Sequence, residues 1–166
     1  MAHIIILGAG IGGVPAAYEM RDALGKAHDI TVVNATDYFQ FVPSNPWLAV
    51  GWRTRDKITV PLKRYLQKKK IGFIARQVDE IDAANNRLKL QDGETIDYDY
   101  LVITTGARLA FEEVEGTGPD GGFTQSVCTV DHAEKSYADF QKLLADPGPV
   151  IVGAAPFASC FGPAYE

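Results

Sequence analysis

Two segments of the chain share one pattern, in which an apolar run leads into small residues. The first is IIILGAGIGG at residues 4–13, and the second is VIVGAAPFASC at residues 150–160. An apolar strand that runs into G-x-G-x-x-G at the start of a helix is typical of the phosphate-binding turn of a parallel α/β sheet. The first segment has the full glycine spacing, so it predicts a Rossmann-like α/β domain.

The glycines of the first segment have separate predicted roles. Gly8 permits a tight turn, Gly10 lets a pyrophosphate approach the backbone, and Gly13 allows close contact between helix and strand. The helix N-terminus then supplies unpaired N–H groups to phosphates. We therefore expect a dinucleotide at Gly8, Ala9, Gly10, Gly12 and Gly13, while glycines kept for packing alone are the alternative.

The residue predicted to meet the ribose is not acidic. About 20 residues past the glycines a carboxylate usually binds the ribose hydroxyls of NAD, and here the position is held by Asn34, followed by Ala35. An amide oxygen can still accept a hydrogen bond from a hydroxyl. Asn34 and Ala35 are therefore candidate cofactor contacts. The substitution weakens the case for NAD bound by the usual contact and leaves FAD possible.

The second segment has lost its glycine spacing and gained a thiol. Gly153 is followed by Ala155 and Ala158, whose methyl groups crowd the path of a pyrophosphate. Cys160 falls near the first turn of the next helix, where the positive helix end favours a nucleophilic thiolate. We predict a redox role for Cys160. A buried, inert cysteine, or a site that still binds NADPH, remains the alternative.

Periodicity and turn signals predict the rest of the fold as strands on either side of helices. The expected helices are 11–24, a short one opened by Pro61 with Leu62, Tyr65 and Leu66 facing inward, and one from Asp131 to about 145. Residues 35–55 are expected to be irregular and aromatic. The expected strands are 2–7, 29–34, 71–83, 87–91 and 95–104.

These elements predict an α/β fold with a parallel sheet, a three-stranded antiparallel insertion and the start of a second Rossmann-like unit. Asp92-Gly93 and residues 82–86 supply the turns of the insertion. The predicted domains are residues 1–110 for cofactor binding and residues 111–166 for the connection and the truncated second unit. Because no crossover helix follows the second turn, we expect this chain to be an N-terminal fragment of a longer protein. We expect the fragment to be soluble and, since it lacks groups of the longer protein, inactive by itself.

Polar residues beside the two cysteines are candidates for proton transfer. Asp131 with Glu134 predicts a capping box at the start of a helix. Cys128 lies just before that start, and His132 is a candidate for proton transfer or for capping. Glu166 is a second candidate proton acceptor, six residues after the thiol of the second segment. No metal site is predicted.

Charge and apolar patterning argue against nucleic acid, secretion and a membrane span, and they leave peripheral membrane attachment open. The formal charge of −5 argues against nucleic acid as a partner. No basic segment precedes the apolar start, so no secretory signal is predicted. No apolar run approaches the ~18 residues of a transmembrane helix. Two cysteines do not make a disulfide framework.

Several segments together resemble a known family. YFQFVPSNPW at residues 38–47, SVCTVDHA at residues 126–133 and ASCFGPAYE at residues 158–166 resemble bacterial sulfide:quinone oxidoreductases. LVITTG at residues 101–106 resembles the Ala-Thr-Gly strand end of flavoproteins with two dinucleotide domains, with Thr104 in place of alanine. Thr105 and Gly106 are therefore further candidate cofactor contacts.

The resemblance implies an enzyme that uses FAD to oxidise sulfide to sulfur or polysulfide and reduces a membrane quinone. It implies a peripheral membrane protein on the cytoplasmic side, attached through a C-terminal half, and leaves open whether copies associate. The alternatives are the flavin subunit of a sulfide dehydrogenase that donates to cytochrome, an NADH:quinone reductase, and a flavin-binding module without activity.

The resemblance also implies roles for individual residues. Cys160 would form a redox pair with a third cysteine in the C-terminal half, and Cys128 would lie on the other side of the flavin or near the sulfide entry. Four further residues would lie along the cofactor, the first two by the isoalloxazine and the last two by the adenine: Val42, Pro43, Gln77 and Val78.

Overall fold

The structure is a computed structural model that describes residues 1–154. Residues 155–166 lie outside the described residues, and with them Ala155, Ala158 and Cys160 of the second segment and the candidate proton acceptor Glu166. The strands are β1 (His3–Leu7), β2 (Asp29–Asn34), β3 (Tyr38–Gln40), β4 (Thr59–Pro61), β5 (Gly72–Ala75), β6 (Val78–Asp82), β7 (Arg87–Leu90), β8 (Thr95–Asp97) and β9 (Tyr100–Ile103). The helices are α1 (Gly13–Leu24), α2 (Asn45–Ala49), α3 (Arg55–Ile58), α4 (Leu62–Lys68) and α5 (Val130–Ala145).

A four-stranded parallel sheet forms the centre of the first part of the chain. Its order is β5-β2-β1-β9, and every neighbouring pair is parallel. Ile5 of β1 lies opposite Thr31 on one side and Leu101 on the other. The first and last strands of the predicted nucleotide domain are thus direct neighbours, which confirms the predicted α/β fold.

The alternation of β1 divides the core between the two faces of the sheet. Successive side chains of a strand point to opposite faces. Ile4 and Ile6 pack with α1 and α4 in a cluster that includes Ala17 and Leu66. Neighbouring β1 residues pack on the other face against the insertion, in the cluster of Ile5, Leu7, Val33, Leu88 and Leu90. Helices therefore cover one face, and the antiparallel sheet covers the other.

The insertion is the three-stranded antiparallel sheet β6-β7-β8. Its two turns are those predicted. The Asn85 N–H donates to Asp82 Oδ1 at 3.1 Å, and the Gly93 N–H donates to the Leu90 carbonyl at 2.9 Å. In the second turn the Glu94 N–H also donates to Asp92 Oδ1 at 3.2 Å, so an aspartate side chain accepts a backbone N–H in each turn, as in Asx turns.

Two predicted strands are each divided between the two sheets, so the predicted continuous strands 71–83 and 95–104 are wrong. The first breaks at Arg76–Gln77 into β5 and β6, and the second breaks at Tyr98–Asp99 into β8 and β9. The second break is held by hydrogen bonds, because the Asp99 carboxylate accepts the His3 N–H at 2.6 Å. A chain that leaves one sheet for another must turn, and apolar alternation does not record such a turn.

Helix boundaries and one predicted buried side chain also differ from expectation. α1 begins at Gly13 rather than at residue 11. Pro61 is the N-cap of α4, as predicted, and Leu62 and Leu66 are buried. Tyr65 was expected to face inward, but it is 45% exposed, with Lys68 Nζ 5.7 Å from its ring centre. Residues 35–55 are not wholly irregular, since they contain β3 and α2.

The chain forms two compact units. Within the described residues, the first contains residues 1–41 and 56–108, and the second contains residues 42–55 and 109–154. Within the second unit, the ring of Tyr137 on α5 lies against Gly51, where a Cβ would come within 2.6 Å of Tyr137 Cε2. No helix of residues 1–154 is both long and apolar enough to cross a membrane. The predicted domain division at residue 110 stays a prediction.

Candidate dinucleotide site

The turn between β1 and α1 is closed tightly by the end of β9. Gly8 has φ +104°, a conformation that side chains rarely adopt. A Cβ on Gly8 would lie 2.5 Å from the Thr104 carbonyl oxygen. Conformation and space therefore both require glycine at this position, as its predicted role in a tight turn demands.

Gly13 lets the first turn of α1 approach the turn that precedes it. A Cβ on Gly13 would lie 1.9 Å from the Gly8 carbonyl oxygen and 2.6 Å from Thr104 Oγ1. These distances are far below contact between carbon and oxygen, and the first atom belongs to the backbone. The close contact expected from the spacing is thus present.

The middle of the turn is open and rich in unpaired donors. A Cβ on Gly10 would meet nothing within 4 Å, and the N-cap Gly12 supplies no side chain to the helix end. Within residues 1–154, the N–H groups of Gly10, Ile11 and Gly12 donate to no other group. Unpaired N–H groups at a helix N-terminus bind anions such as phosphate.

Asn34 binds the glycine turn through its amide oxygen. Asn34 Oδ1 accepts the Ala9 N–H at 2.9 Å, while its Nδ2 donates to the Thr36 carbonyl and hydroxyl oxygens at 2.9 and 3.0 Å. Both N–H bonds of the amide are therefore used. The ribose contact expected of Asn34 and Ala35 stays a prediction, and the contacts that Asn34 makes are with the protein itself.

Thr104 binds the same turn from the other side. Its backbone N–H donates to the Leu7 carbonyl at 2.8 Å. Its hydroxyl lies 3.0 Å from the Leu7 oxygen and 2.9 Å from the Gly8 oxygen. An alanine at residue 104 would keep the backbone bond and lose the hydroxyl, so the departure from the resembled Ala-Thr-Gly pattern has a structural consequence.

The other candidate contacts of the first unit follow the carboxyl ends of strands in the same sheet. Parallel strands end at one edge, where ligands of open α/β sheets bind. Gly8 follows β1, Ala35 follows β2, Gln77 comes two residues after β5, and Thr105-Gly106 comes just after β9. The fold thus brings these residues to one edge of the sheet. Val78 is the next residue after Gln77 and begins β6.

The candidate residues Val42, Pro43, Cys128 and His132 belong to the second unit. Val42 is 51% exposed and opens a 3₁₀ turn that contains Pro43. Cys128 is a free, exposed cysteine just before α5. Its thiol is accessible, as a reacting thiol must be.

His132 is mostly enclosed by other side chains of that unit. Its side chain is 14% exposed, and Nε2 lies 3.8 Å from Asp120 Oδ2. Its ring centre is 5.8 Å from that of Phe111. Nδ1 is buried and has no hydrogen-bond partner within residues 1–154. Lys135, which binds Asp120, holds the pKa of that carboxyl below its ordinary value.

The capping box predicted for Asp131 and Glu134 is wrong. The N-cap of α5 is Thr129, whose hydroxyl accepts the His132 N–H at 3.1 Å. Arg55 Nη1 binds both carboxylates instead, at 2.7 Å from Asp131 Oδ1 and 2.7 Å from Glu134 Oε2. Because Thr129 caps the backbone, the two acidic residues are free to bind the arginine.

The sequence profile of the pyridine nucleotide-disulphide oxidoreductases matches residues 2–162. The chain belongs to this family. Members of the pyridine nucleotide-disulphide oxidoreductase family bind FAD, and the glycine turn fits the pyrophosphate of such a cofactor. Open space at Gly10 and unpaired N–H groups at the helix start are the two features that this fit requires.

Three comparisons relate this family member to named proteins. It is 43% identical to the sulfide-quinone reductase of Aquifex aeolicus (strain VF5), over 99% of this chain and 37% of that protein. The X-ray structure of the Aquifex aeolicus sulfide:quinone oxidoreductase matches with a TM-score of 0.89 at 42% identity, again over 99% and 37% of the two chains. The mitochondrial sulfide:quinone oxidoreductase of Mus musculus is 26% identical over 84% of this chain and 32% of that protein.

The chain therefore spans about 37% of the length of the Aquifex relative. The sequence pattern located the glycine turn and the strand ends around it. It did not reveal that Thr104 and Asn34 bind the turn. The only signals of these roles were the hydroxyl of Thr104 in place of the methyl of alanine and the amide of Asn34 in place of a carboxylate.

Proposed function

We propose that this chain is the FAD-binding part of an enzyme that oxidises sulfide and reduces a membrane quinone. The observation that carries the proposal is the 43% identity with a sulfide-quinone reductase over 99% of the chain. The open glycine turn supports it, because it can bind the pyrophosphate of FAD. When bound, FAD would supply a two-electron acceptor for sulfur and a donor for quinone.

In this proposal the residues of the first unit bind and orient the cofactor. The N–H groups of Gly10, Ile11 and Gly12 bind the pyrophosphate, helped by the positive end of α1. Thr105, Gly106, Ala35, Gln77 and Val78 line the same edge of the sheet or follow it closely, and we assign them to the rest of the cofactor. Val42 and Pro43 are assigned to the flavin ring.

The sulfur chemistry is assigned to the cysteines. A thiolate is the nucleophilic form of cysteine, and Cys160 follows the segment in which alanines replace two glycines. We assign sulfide oxidation to Cys160, paired with a third cysteine in the part of the relatives that this chain does not cover. Cys128 is assigned to the other side of the flavin or to the sulfide entry, and proton transfer to His132 and Glu166. Quinone binding and peripheral membrane attachment are assigned to the part of the relatives that this chain does not cover.

The electron donor distinguishes the proposed sulfide oxidoreductase from an NADH:quinone reductase. The sequence has Ala155 and Ala158 where the usual glycine spacing would leave room for a pyrophosphate, so we expect the second segment to bind a nicotinamide dinucleotide poorly. Sulfide is therefore the expected electron donor, and NADH should support little or no turnover.

The test is sulfide-dependent reduction of a soluble quinone analogue by the full-length flavoprotein. Replacing the thiol in Cys160→Ser should reduce the rate by at least about a hundredfold, because a hydroxyl is a much weaker nucleophile at neutral pH than a thiolate. The neighbouring Ser159→Ala variant is the matched control and should keep the wild-type rate. A bound-flavin absorption spectrum in both variants would show that the cofactor site is intact.

Three results would contradict the proposal. Wild-type sulfide turnover in Cys160→Ser would remove the assigned nucleophile. Faster quinone reduction with NADH than with sulfide would favour the NADH:quinone reductase. Electron transfer to a cytochrome but not to quinone would favour the flavin subunit of a sulfide dehydrogenase.

A further inference from the structure

The peptide group between Gly8 and Ala9 is held at both of its polar atoms by side chains from distant parts of the chain. Its carbonyl oxygen accepts from Thr104 Oγ1 at 2.9 Å. Its N–H donates to Asn34 Oδ1 at 2.9 Å. A peptide group is planar, so fixing its C=O on one side and its N–H on the other fixes the rotation of the whole group.

We propose that Thr104 is a positioning residue for the pyrophosphate of the bound dinucleotide, acting with Asn34 on the Gly8–Ala9 peptide. The inference rests on the proposed cofactor site and adds to it the group that shapes the site before the ligand binds. Thr104 touches neither phosphate nor flavin in this proposal. It acts through the backbone that presents the phosphate-binding N–H groups.

The Thr104 hydroxyl has one proton to donate, and the other hydrogen bonds nearby show that the Gly8 oxygen depends on it more than the Leu7 oxygen does. The Leu7 oxygen already accepts the Thr104 backbone N–H at 2.8 Å. Within residues 1–154, the hydroxyl is the sole donor to the Gly8 oxygen. Loss of the hydroxyl would therefore leave the Gly8 carbonyl without a hydrogen bond while the strand pairing of Leu7 remains.

The position of this peptide explains why its rotation matters for binding. The unpaired N–H groups begin at Gly10, one residue after the N–H that Asn34 holds. If the Gly8–Ala9 peptide rotates, the following N–H groups change direction, and binding must then restore them at a cost in free energy. A turn fixed in advance avoids that cost.

The test compares ligands that contain phosphate with one that does not. Thr104→Val keeps the shape of the side chain and removes its proton, so the dissociation constants of the full-length apoprotein for FAD and ADP should rise about fivefold, the effect of one neutral hydrogen bond. The dissociation constant for adenosine, which has no phosphate, should stay unchanged. Calorimetric titration measures all three.

Three further variants make the test specific. Thr104→Ser keeps the hydroxyl and should bind FAD within about twofold of wild type, since only a methyl group is lost. Thr104→Ala removes the same bond without a branched side chain and should match the valine variant. Thr95→Val is the matched control, because Thr95 is exposed and pairs with Lys89 in the antiparallel insertion, and it should leave all three constants unchanged.

The outcomes separate this inference from the proposed function. Unchanged FAD and ADP binding in both Thr104→Val and Thr104→Ala would overturn the inference while leaving the FAD site intact. Equal weakening of FAD, ADP and adenosine would also overturn it, because it would indicate general loss of structure. If the wild-type protein binds neither FAD nor ADP, the proposed cofactor site fails and the inference with it.

Discussion

Gly13 and Gly10 lie in one turn, yet space constrains them differently. A Cβ on Gly13 would overlap the Gly8 carbonyl, at 1.9 Å, whereas a Cβ on Gly10 would meet nothing within 4 Å. Neither glycine has a positive φ, so their backbones would accept alanine. Gly13 is therefore required for packing, and Gly10 leaves room for a ligand.

This difference predicts that replacing glycine by alanine affects stability at residue 13 and ligand affinity at residue 10. Gly13→Ala should lower the free energy of unfolding by about 1–3 kcal/mol, the usual cost of forcing atoms into a packed site. Gly10→Ala should leave that free energy within about 0.5 kcal/mol of wild type, as surface substitutions do, but should weaken FAD binding. Urea unfolding without ligand and titration with FAD measure the two effects.

The two variants control for each other. Equal stability of Gly13→Ala and wild type would contradict the close contact between α1 and the turn. Unchanged FAD affinity in Gly10→Ala would show that the open space at this residue is not where the cofactor binds.

The sequence predicted where the binding residues lie but not how Asn34 and Thr104 act. Each bonds to the turn across a long stretch of chain, with 25 residues separating Asn34 from Ala9 and 96 separating Thr104 from Gly8. A local pattern records spacing along the chain, whereas these hydrogen bonds depend on which strands become neighbours. The replacement of alanine by threonine was visible, and its consequence was not.

At the scale of elements, α5 shows how two overlapping capping signals compete. Asp131-x-x-Glu134 and Thr129-x-x-His132 both place a short polar side chain three residues ahead of a suitable partner. The structure uses Thr129, and Arg55 binds the two carboxylates from 76 and 79 residues away. Sequence alone could not rank the two caps, because the arginine lies in a different element.

The cap assignment predicts which substitution weakens α5. Thr129→Ala removes the acceptor of the His132 N–H and should lower the free energy of unfolding by about 1 kcal/mol, as the loss of a helix cap usually does. Thr129→Ser keeps the hydroxyl and should cost less. Chemical unfolding followed by circular dichroism measures both.

Asp131→Ala distinguishes the structure from the rejected capping box. This variant loses only the ion pair of an exposed side chain, since the Asp131 side chain is 65% exposed. The loss in the free energy of unfolding should therefore not exceed about 1 kcal/mol. A larger loss in Asp131→Ala than in Thr129→Ala would favour the capping box.

The two divided strands show what strand patterns leave out. Residues 71–83 and 95–104 keep apolar residues along their whole length because both of their halves pack on one core or another. The position of each break depends on which sheet the residues on either side of it pair with. Alternation predicted the existence of these strands, and pairing decided where each one stops.

For the whole molecule, the sequence predicted the architecture well and the internal divisions less well. The glycine turn, the apolar run of β9 and the Asp92-Gly93 turn were enough for the parallel sheet and the antiparallel insertion. The association of residues 42–55 with the chain beyond residue 108 was not predicted, because it depends on packing such as that of Tyr137 on Gly51.

Acid stability is a property to which both units contribute. Asp82, Asp97, Asp120 and Asp139 each have a pKa below the ordinary value of aspartate. For Asp97 the cause is the bond from Arg87, whose Nε lies 2.6 Å from Oδ1. A carboxyl whose pKa falls on folding stabilises the native state above its unfolded pKa, and that contribution disappears as pH falls through the folded pKa.

Removing one of these carboxylates should therefore flatten the acid dependence of stability. In Asp97→Asn the free energy of unfolding should decrease less steeply than in wild type as the pH is lowered below about 4, the ordinary pKa of aspartate. Asp79→Asn removes the same charge from β6 of the same antiparallel sheet, where no ion pair involving it is present within residues 1–154, and should keep the wild-type slope. Urea unfolding at a series of pH values measures the slopes, and identical slopes in both variants would contradict the role of the Arg87–Asp97 pair.

The bond between Thr104 and Gly8 also has a consequence for the order of events during synthesis. A ribosome releases the glycine segment early, but the hydroxyl that secures it arrives 96 residues later. Until Thr104 has been synthesised and β9 has paired with β1, the Gly8 carbonyl of the glycine turn lacks the hydrogen bond from the Thr104 hydroxyl. If the turn binds FAD as we propose, we therefore expect flavin binding only after most of the first unit has been translated.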